Sequence, residues 1–372
     1  MSLDKKDPSV FEAAIKSFLE PIWSLLKDEK VTEVMVNSHN EIWVEIAGKI
    51  QKTEAAFSDE DALLAAARNI AQSVGRQITE EHPQLDARLP NGYRVHAVIP
   101  PCSRKGTTLA IRKFSSVQFT FEDYIRFGTL TGTVAEFLKI ASLLGKNMLI
   151  SGGTGSGKTT LLGAMCSYIP KGQRIIVIED ASELQVDYEH VVFFETKMAN
   201  AQGLGQVTIR DLVKSSLRLR PDRIIVGEVR GGEALELINA MNTGHKGCLG
   251  TVHANSSQDA IVRLESLAQG ADSQLSEKAL QQQISSAIDL VVQVSRFSDG
   301  SRRVAEVSEV LGIKNGTYQV QNLFSMSRLV KKPDGRLEGR LEATGILPSF
   351  MEEIEDNQLS FPRSLFKNKE AA

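Results

Sequence analysis

Cysteine is scarce in this chain. Its 372 residues include only Cys102, Cys166 and Cys248. They are odd in number, far apart and form no CxxC pair, which excludes a disulfide-stapled scaffold and predicts reduced thiols in a cytosolic protein. A long apolar run is missing as well, so no segment is expected to cross a bilayer. The first residues, Met1-Ser2-Leu3-Asp4-Lys5-Lys6-Asp7, lack the apolar core of a signal peptide. If such a chain works at a membrane, another protein must take it there. An excess of either charge is also lacking: 43 basic residues face 46 acidic ones, for a net charge of −3. Nothing in that balance indicates a general nucleic-acid surface. Internal repeats and low-complexity tracts are absent. The remainder, 42% hydrophobic and 24% charged, is a soluble globular composition of a length suited to two or three domains.

The most informative segment is Gly152-Gly153-Thr154-Gly155-Ser156-Gly157-Lys158-Thr159-Thr160. It fits the phosphate-loop pattern of a glycine, four residues, then Gly-Lys-Thr. A triphosphate is best held by backbone N–H groups lining a concave turn, and glycines let the chain approach that closely. A helix starting at the loop's end adds free N–H groups and the positive end of its dipole. Lys158 is expected to reach the β- and γ-phosphates of ATP, and the Thr159 hydroxyl to ligate Mg2+. The motif needs a strand before it and a helix after it. Asn147–Ser151 supplies the apolar run, and Leu161, Leu162, Met165 and Cys166 recur at helical spacing.

Before about Phe114 the pattern is that of a small α+β domain. Val10, Phe11, Ala14, Ile15, Phe18, Leu19, Ile22 and Leu26 form one helical stripe over residues 9–29, which Pro21 is expected to kink or split. Strands are predicted at Val31–Asn37, Ile42–Ala47, Ile50–Thr53, Leu85–Leu89, Arg94–Ile99 and Thr108–Arg112. A helix to about Val74 is expected to be capped by Ser58. Residues 115–121 read as a linker. From 122 onward helices alternate with short apolar strands at Met148–Ser151, Arg174–Glu179, Val191–Glu195, Arg223–Gly227, Leu249–His253 and Leu290–Ser295. That alternation predicts an α/β domain to about Met326, with a mostly parallel sheet and helices on both faces. Residues 327–372 are mixed in charge and weakly periodic, a tail of uncertain structure.

Three later segments narrow the chemistry. Ile175–Leu184 is an apolar strand ending in Glu179, Asp180 and Glu183. Carboxylates at the carboxyl end of a parallel strand line the ligand crevice, where they can hold hydrated Mg2+ or orient water. The plainer alternative is a charged turn opening a helix. Arg220–Arg230 is a second buried strand, ending in Glu228. A carboxylate there is placed to activate water beside the γ-phosphate; its alternative is a surface ion pair with Arg230. Thr243–Ser256 brings His253 to the end of a further strand, where an imidazole can sense the γ-phosphate. A zinc site of His245, Cys248 and His253 matches no common ligand spacing.

The order of these boxes resembles the type II/type IV secretion ATPase superfamily. Leu219–Ala234 and Ala240-Met241-Asn242-Thr243-Gly244-His245 look most like the CpaF-type ATPase of tight-adherence (Flp) pili, as do Asp86–Ala97 and Leu109–Phe114. The resemblance runs from about residue 20 to about 295. It implies a RecA-like motor domain behind a smaller amino-terminal domain, assembled as a homo-hexamer on the cytoplasmic face of the inner membrane. It also implies partnership with inner-membrane platform proteins. In such rings arginines of the amino-terminal side reach the phosphates, and the matching positions here are Arg88, Arg94 and Arg112. On this reading Glu228 is the preferred water-activating base, with Glu183 or Glu179 second, and His253 is the sensor. Asp180 stands near Mg2+ through water. Two other functions stay open: a DNA-translocating conjugation-type motor, against which the acidic balance stands, and a non-catalytic nucleotide-dependent scaffold.

Overall fold

The computed structural model describes residues 16–46, 48–89, 91–113, 118–200, 203–271 and 275–366. The chain divides into two compact units, one of residues 1–116 with 199–206, the other of residues 117–198 with 207–372.

The first unit is an antiparallel sheet backed by helices. Its strands are β1 (Val31–Ser38), β2 (Glu41–Ile46), β3 (Lys49–Lys52), β4 (Gln84–Arg88), β5 (Arg94–Val98) and β6 (Thr108–Arg112), in the order β3-β2-β1-β6-β5-β4. Alternation sets its two faces. Val34, Val36, Leu85, Val95, Ala97, Leu109 and Ile111 join a core with Ile22 and Leu26 of the helix Glu20–Lys27 and with Leu63, Ala67 and Ile70 of the helix Glu60–Ser73. The split expected at Pro21 is present: the helical turn at 16–18 ends at Leu19, and Pro21 lies in the first turn of Glu20–Lys27. Residues 9–15 of the predicted stripe lie outside the described residues, as do Ala47 and Phe114. The cap of the helix Glu60–Ser73 is Asp59, one residue after the predicted Ser58. The Asp59 backbone is extended and its carboxylate accepts the Ala62 N–H at 2.8 Å. A carboxylate there also complements the helix dipole. Of the segment read as a linker, residues 115–117 lie outside the described residues, while Thr120 closes a capping box with Asp123 on the helix Phe121–Arg126.

The second unit is built on parallel strands. These are β7 (Met148–Gly152), β8 (Ile175–Glu179), β9 (Val191–Glu195), β10 (Arg223–Val226), β11 (Leu249–Val252) and β12 (Leu290–Arg296). They run in the order β12-β7-β11-β10-β8-β9, every neighbouring pair parallel. Residues of β7, β8, β10 and β11 are buried throughout. Successive side chains feed opposite cores. Met148, Ile150, Ile175 and Val177 pack with Phe137 and Leu161 on one side; Leu149, Ile176 and Ile178 pack with Val213, Ile238 and Leu264 on the other. Each fully buried side chain of this size contributes roughly 1.5–3 kcal/mol. The result is a RecA-like α/β motor domain, preceded by the smaller unit.

Three antiparallel strands extend this sheet beyond β12: β13 (Arg302–Lys314), β14 (Thr317–Met326) and, after the two-stranded ribbon β15 (Val330–Lys331) and β16 (Leu337–Glu338), β17 (Leu341–Ala343). Asn315 and Gly316, both at positive φ, turn the β13–β14 hairpin. Phe350, Phe361 and Phe366 cluster with Phe137 and Phe324 at ring separations of 5.3–5.9 Å. The segment read as a tail of uncertain structure therefore supplies part of the motor core.

Candidate nucleotide site

The parallel strands bring their carboxyl ends to one edge of the sheet. There β7 leads into the phosphate loop, β8 into Asp180, β10 into Glu228 and β11 into His253. Gly157 is the N-cap of the helix Lys158–Cys166, at φ 97°, and Gly155 lies at φ 68°. Both conformations favour glycine. Gly152 is needed for space: a Cβ there would collide with the Val294 carbonyl oxygen and the Ser156 hydroxyl. Gly153, Thr154 and Gly155 are exposed, as is Thr160, while Ser156 and Lys158 are buried and Thr159 is half-buried.

Lys158 folds back over the loop. Its ammonium donates to the Gly153 carbonyl at 3.0 Å and stands 3.4–3.5 Å from the ring nitrogens of His253. His253 Nε2 lies 2.9 Å from Glu228 Oε1. The other Glu228 oxygen accepts from Arg230 at 2.5 Å, and Arg230 also reaches Asp180 at 3.5 Å. The ion pair weighed as the plain alternative for Glu228 thus exists, inside a connected network of Lys158, His253, Glu228, Arg230 and Asp180. Burial, then the Lys158 charge, lowers the His253 pKa, with Glu228 opposing. The imidazole is therefore neutral near pH 7. A carboxylate only accepts, so Nε2 carries the proton toward Glu228 and Nδ1 is left to accept from Lys158. Burial likewise lowers the Lys158 pKa, with Glu228 opposing.

Glu228 is aimed by its neighbours. The Thr251 hydroxyl donates to the Gly227 carbonyl at 2.7 Å, and the Val229 N–H to the Thr251 carbonyl at 2.8 Å. Gly227 leaves no room for a side chain, because a Cβ would sit 2.7 Å from Glu179 Cγ. Buried Glu233 accepts the backbone N–H groups of Arg230 and Gly231 at 2.6 and 2.8 Å, fixing the turn that carries Arg230. Sequence reasoning gave Glu233 and Thr251 no role. Their only sequence signal was nearness to the boxes.

The acidic box divides into different tasks. Glu179 is 3% exposed, and its Oε1 accepts the N–H groups of Glu183 and Leu184 at 3.0 and 2.9 Å. Burial pushes its carboxyl up to about 7. It therefore ties the turn after β8. Asp180 and half-buried Glu183 remain outside, where both charges support the Arg230 guanidinium after the dominant Glu228.

The zinc arrangement does not form. Cys248 is fully buried, its Sγ on the His245 carbonyl at 3.1 Å and its thiol pushed up to about 12 by burial. No group of three metal-ligating His, Cys, Asp or Glu side chains converges among the described residues. The half-buried Thr159 hydroxyl and the exposed Asp180 carboxylate are the oxygen donors that a Mg2+ carried by phosphate oxygens and water would meet. Mg2+ retains its waters and seldom sits in an all-protein cage.

The amino-terminal arginines lie in the first unit, in one row. Arg88 is the cross-strand partner of Arg94, and Arg94 of Arg112, so the three share one face across β4, β5 and β6. Glu33 of β1 stands opposite Arg112 and ends the row.

The type II/IV secretion system protein family matches residues 16–330. The chain belongs to that family. It is 36% identical over 316 residues to a putative conjugal transfer protein of Mycobacterium tuberculosis, covering 83% of this chain and 88% of that one. It is 34% identical over 328 residues to the type IV secretion system protein VirB11 of Brucella suis, covering 80% and 90%. Among solved structures the Legionella pneumophila ATPase DotB superposes with a TM-score of 0.55 at 16% identity, over 98% of this chain and 87% of that one. That likeness concerns the fold. The family is thus the one implied by the nucleotide boxes, and these relatives carry conjugal-transfer and type IV secretion names. No helix among the described residues is long and apolar enough to cross a membrane.

Proposed function

We propose that this chain hydrolyses ATP and converts hydrolysis into domain motion that drives a membrane secretion or pilus-assembly machine. The observation that carries the reading is the convergence of Lys158, His253 and Glu228 within hydrogen-bond or near-contact distance at the ends of three parallel strands. Lys158 binds the β- and γ-phosphates, while loop residues 152–157 and Thr160 surround them with backbone. Bound Mg2+, on Thr159 and the phosphates, supplies charge neutralisation. Glu228 is the base that orients and deprotonates the attacking water. Each of its oxygens has one protein partner here and retains acceptor capacity. His253 links Glu228 to Lys158 and so senses the occupant of the loop. Glu179 positions the acidic box, and Glu183 remains the second candidate base. Arg88, Arg94 and Arg112 are assigned on this proposal to supply transition-state charge.

The working assembly on this proposal is a homo-hexamer, cytoplasmic and held at the inner membrane by platform proteins. The tight-adherence pilus branch rests on the resemblance of Leu219–Ala234, Ala240–His245, Asp86–Ala97 and Leu109–Phe114; the relatives' names favour type IV secretion. Steady-state phosphate release by the full chain, beside Lys158→Ala, tests the central claim. Wild type should turn over ATP and Lys158→Ala should not. A variant with the wild-type rate would sink it, and a wild type that binds ATP without turnover would favour the scaffold reading. The conjugal-transfer relative supports a second reading, a DNA-translocating motor. DNA-stimulated turnover that fades steeply with salt would favour it.

A further inference from the structure

We propose that Arg302 is a positioning residue that presets the phosphate loop, and that the carboxy-terminal ribbon β15–β16 holds it in place through Asp299 and Arg303. The inference rests on the nucleotide-site reading above and adds to it. Arg302 opens β13, which runs antiparallel to β12 and so begins at the sheet edge where the parallel strands end. Its Nε donates to the Gly155 carbonyl at 2.8 Å. Its aliphatic stem passes Gly157, where a Cβ would sit 3.6 Å from Arg302 Cδ. Arg296, its cross-strand partner on β12, lies along the same loop, 3.7 Å from where a Gly155 Cβ would be. The Arg302 carbonyl accepts the Thr129 hydroxyl at 2.8 Å.

A phosphate loop works when its N–H groups point inward, and turning the Gly155 carbonyl outward to Arg302 favours that arrangement. An outward carbonyl held by a cationic donor fixes its peptide plane before the ligand arrives. Ordering paid in the free protein is not paid on binding, which raises affinity. The hold on Arg302 comes from its neighbours. Arg303 pairs with Asp299 at 3.4 Å and donates to the Leu337 and Gly339 carbonyls at 2.5 and 3.4 Å. The Leu337 N–H returns a bond to Asp299 at 2.8 Å. Asp299 also takes the Ser301 hydroxyl and N–H, at 2.6 and 3.0 Å. The Asp299 and Arg303 side chains are 8% and 14% exposed, so this is an enclosed clamp on the turn that carries Arg302.

The test uses the full chain, methylanthraniloyl-ADP as the probe, ATP kinetics, and melting without nucleotide. Arg302→Ala should raise the probe's Kd and the KM for ATP about tenfold, with kcat falling less than affinity. Its unliganded melting temperature should stay within about 3 °C of wild type. Arg302→Lys, which keeps a cationic donor, should recover most of the affinity. Asp299→Ala should shift Kd in the same direction by about threefold. A Kd for Arg302→Ala within twofold of wild type overturns the proposal. So does a larger fall in unliganded melting temperature, which would make Arg302 a staple of the fold. If Lys158→Ala loses the probe while Arg302→Ala keeps it, only this inference fails. If Lys158→Ala binds as wild type does, the nucleotide site itself fails.

Discussion

The two units carry their charged candidates in different places. In the first, Arg88, Arg94 and Arg112 stand on a sheet face, in register across β4, β5 and β6. In the second, Lys158, Glu228 and His253 stand beyond strand ends, because β7, β10 and β11 are buried along their whole length. An antiparallel sheet covered by helices on one side leaves its other face for function. A parallel sheet covered on both sides leaves only its ends. The energetics differ as well. Like charges directly opposite across strands repel, and here Arg88, Arg94 and Arg112 stand opposite one another while Glu33 faces Arg112. In the second unit Glu228 pairs with Arg230 and meets the neutral His253 imidazole. One region sets like charges side by side on a sheet face, and the other gathers unlike groups beyond its strand ends.

If the arginine row serves the γ-phosphate, replacing all three by alanine gives the largest effect. Turnover should fall by roughly 10³–10⁵ while nucleotide still binds. Since the three alternate with the core-facing residues of their strands, the unliganded melting temperature should hold. Turnover at the wild-type rate would break the comparison by making the row purely structural. Next comes Glu228→Gln, which keeps shape and removes the base; kcat should drop by roughly 10²–10⁴ with ATP binding retained. Should Glu228→Gln stay active while Glu183→Gln is dead, their roles are exchanged.

Glu179→Gln is expected to have the smallest effect on activity, since an amide oxygen still accepts the Glu183 and Leu184 N–H groups. Its mark should be on stability against pH. The carboxyl is pushed up from 4.5 to about 7 on folding. The folded state therefore binds the proton more tightly, a stabilisation complete below about 4.5 and lost as pH rises through about 7. Relative to wild type, Glu179→Gln should gain stability from pH 5 to pH 8, by up to roughly 3 kcal/mol. Melting curves at four pH values would read this. Parallel pH dependence in the two proteins would show that Glu179 keeps its charge when buried.

Much of the second unit was legible. Short apolar runs named β7 to β12 within a residue or two; for β7, β8, β10 and β11 the reason is that a doubly covered strand must be apolar throughout. The phosphate loop was legible for a local reason: its glycines answer to the turn and to close packing at Gly152. Roles that depend on distant partners were not legible. Glu179, Asp180 and Glu183 sit side by side in sequence, yet only Glu179 is turned inward, where Gly227 leaves room for it. Arg302 carried no motif at all. It reaches the loop because β13 reverses beside β12, which brings it to Gly155 from 147 residues away. The tail escaped because its few phenylalanines are spaced along loops and make sense only against Phe137.

The sequence by itself determined the family, the nucleotide loop, the parallel strands and the apolar periodicity, since each follows from neighbours within one helical turn or one strand. The tertiary structure alone decided which charges meet. It set Glu228 between Arg230 and His253, aligned three arginines across three strands, buried Glu179 and brought Arg302 to Gly155. The physical reason is range. Backbone preference and hydrophobic period act over a few residues, whereas an ion pair or a buried carboxylate is fixed only when strand register and sheet order place remote side chains within a few ångströms.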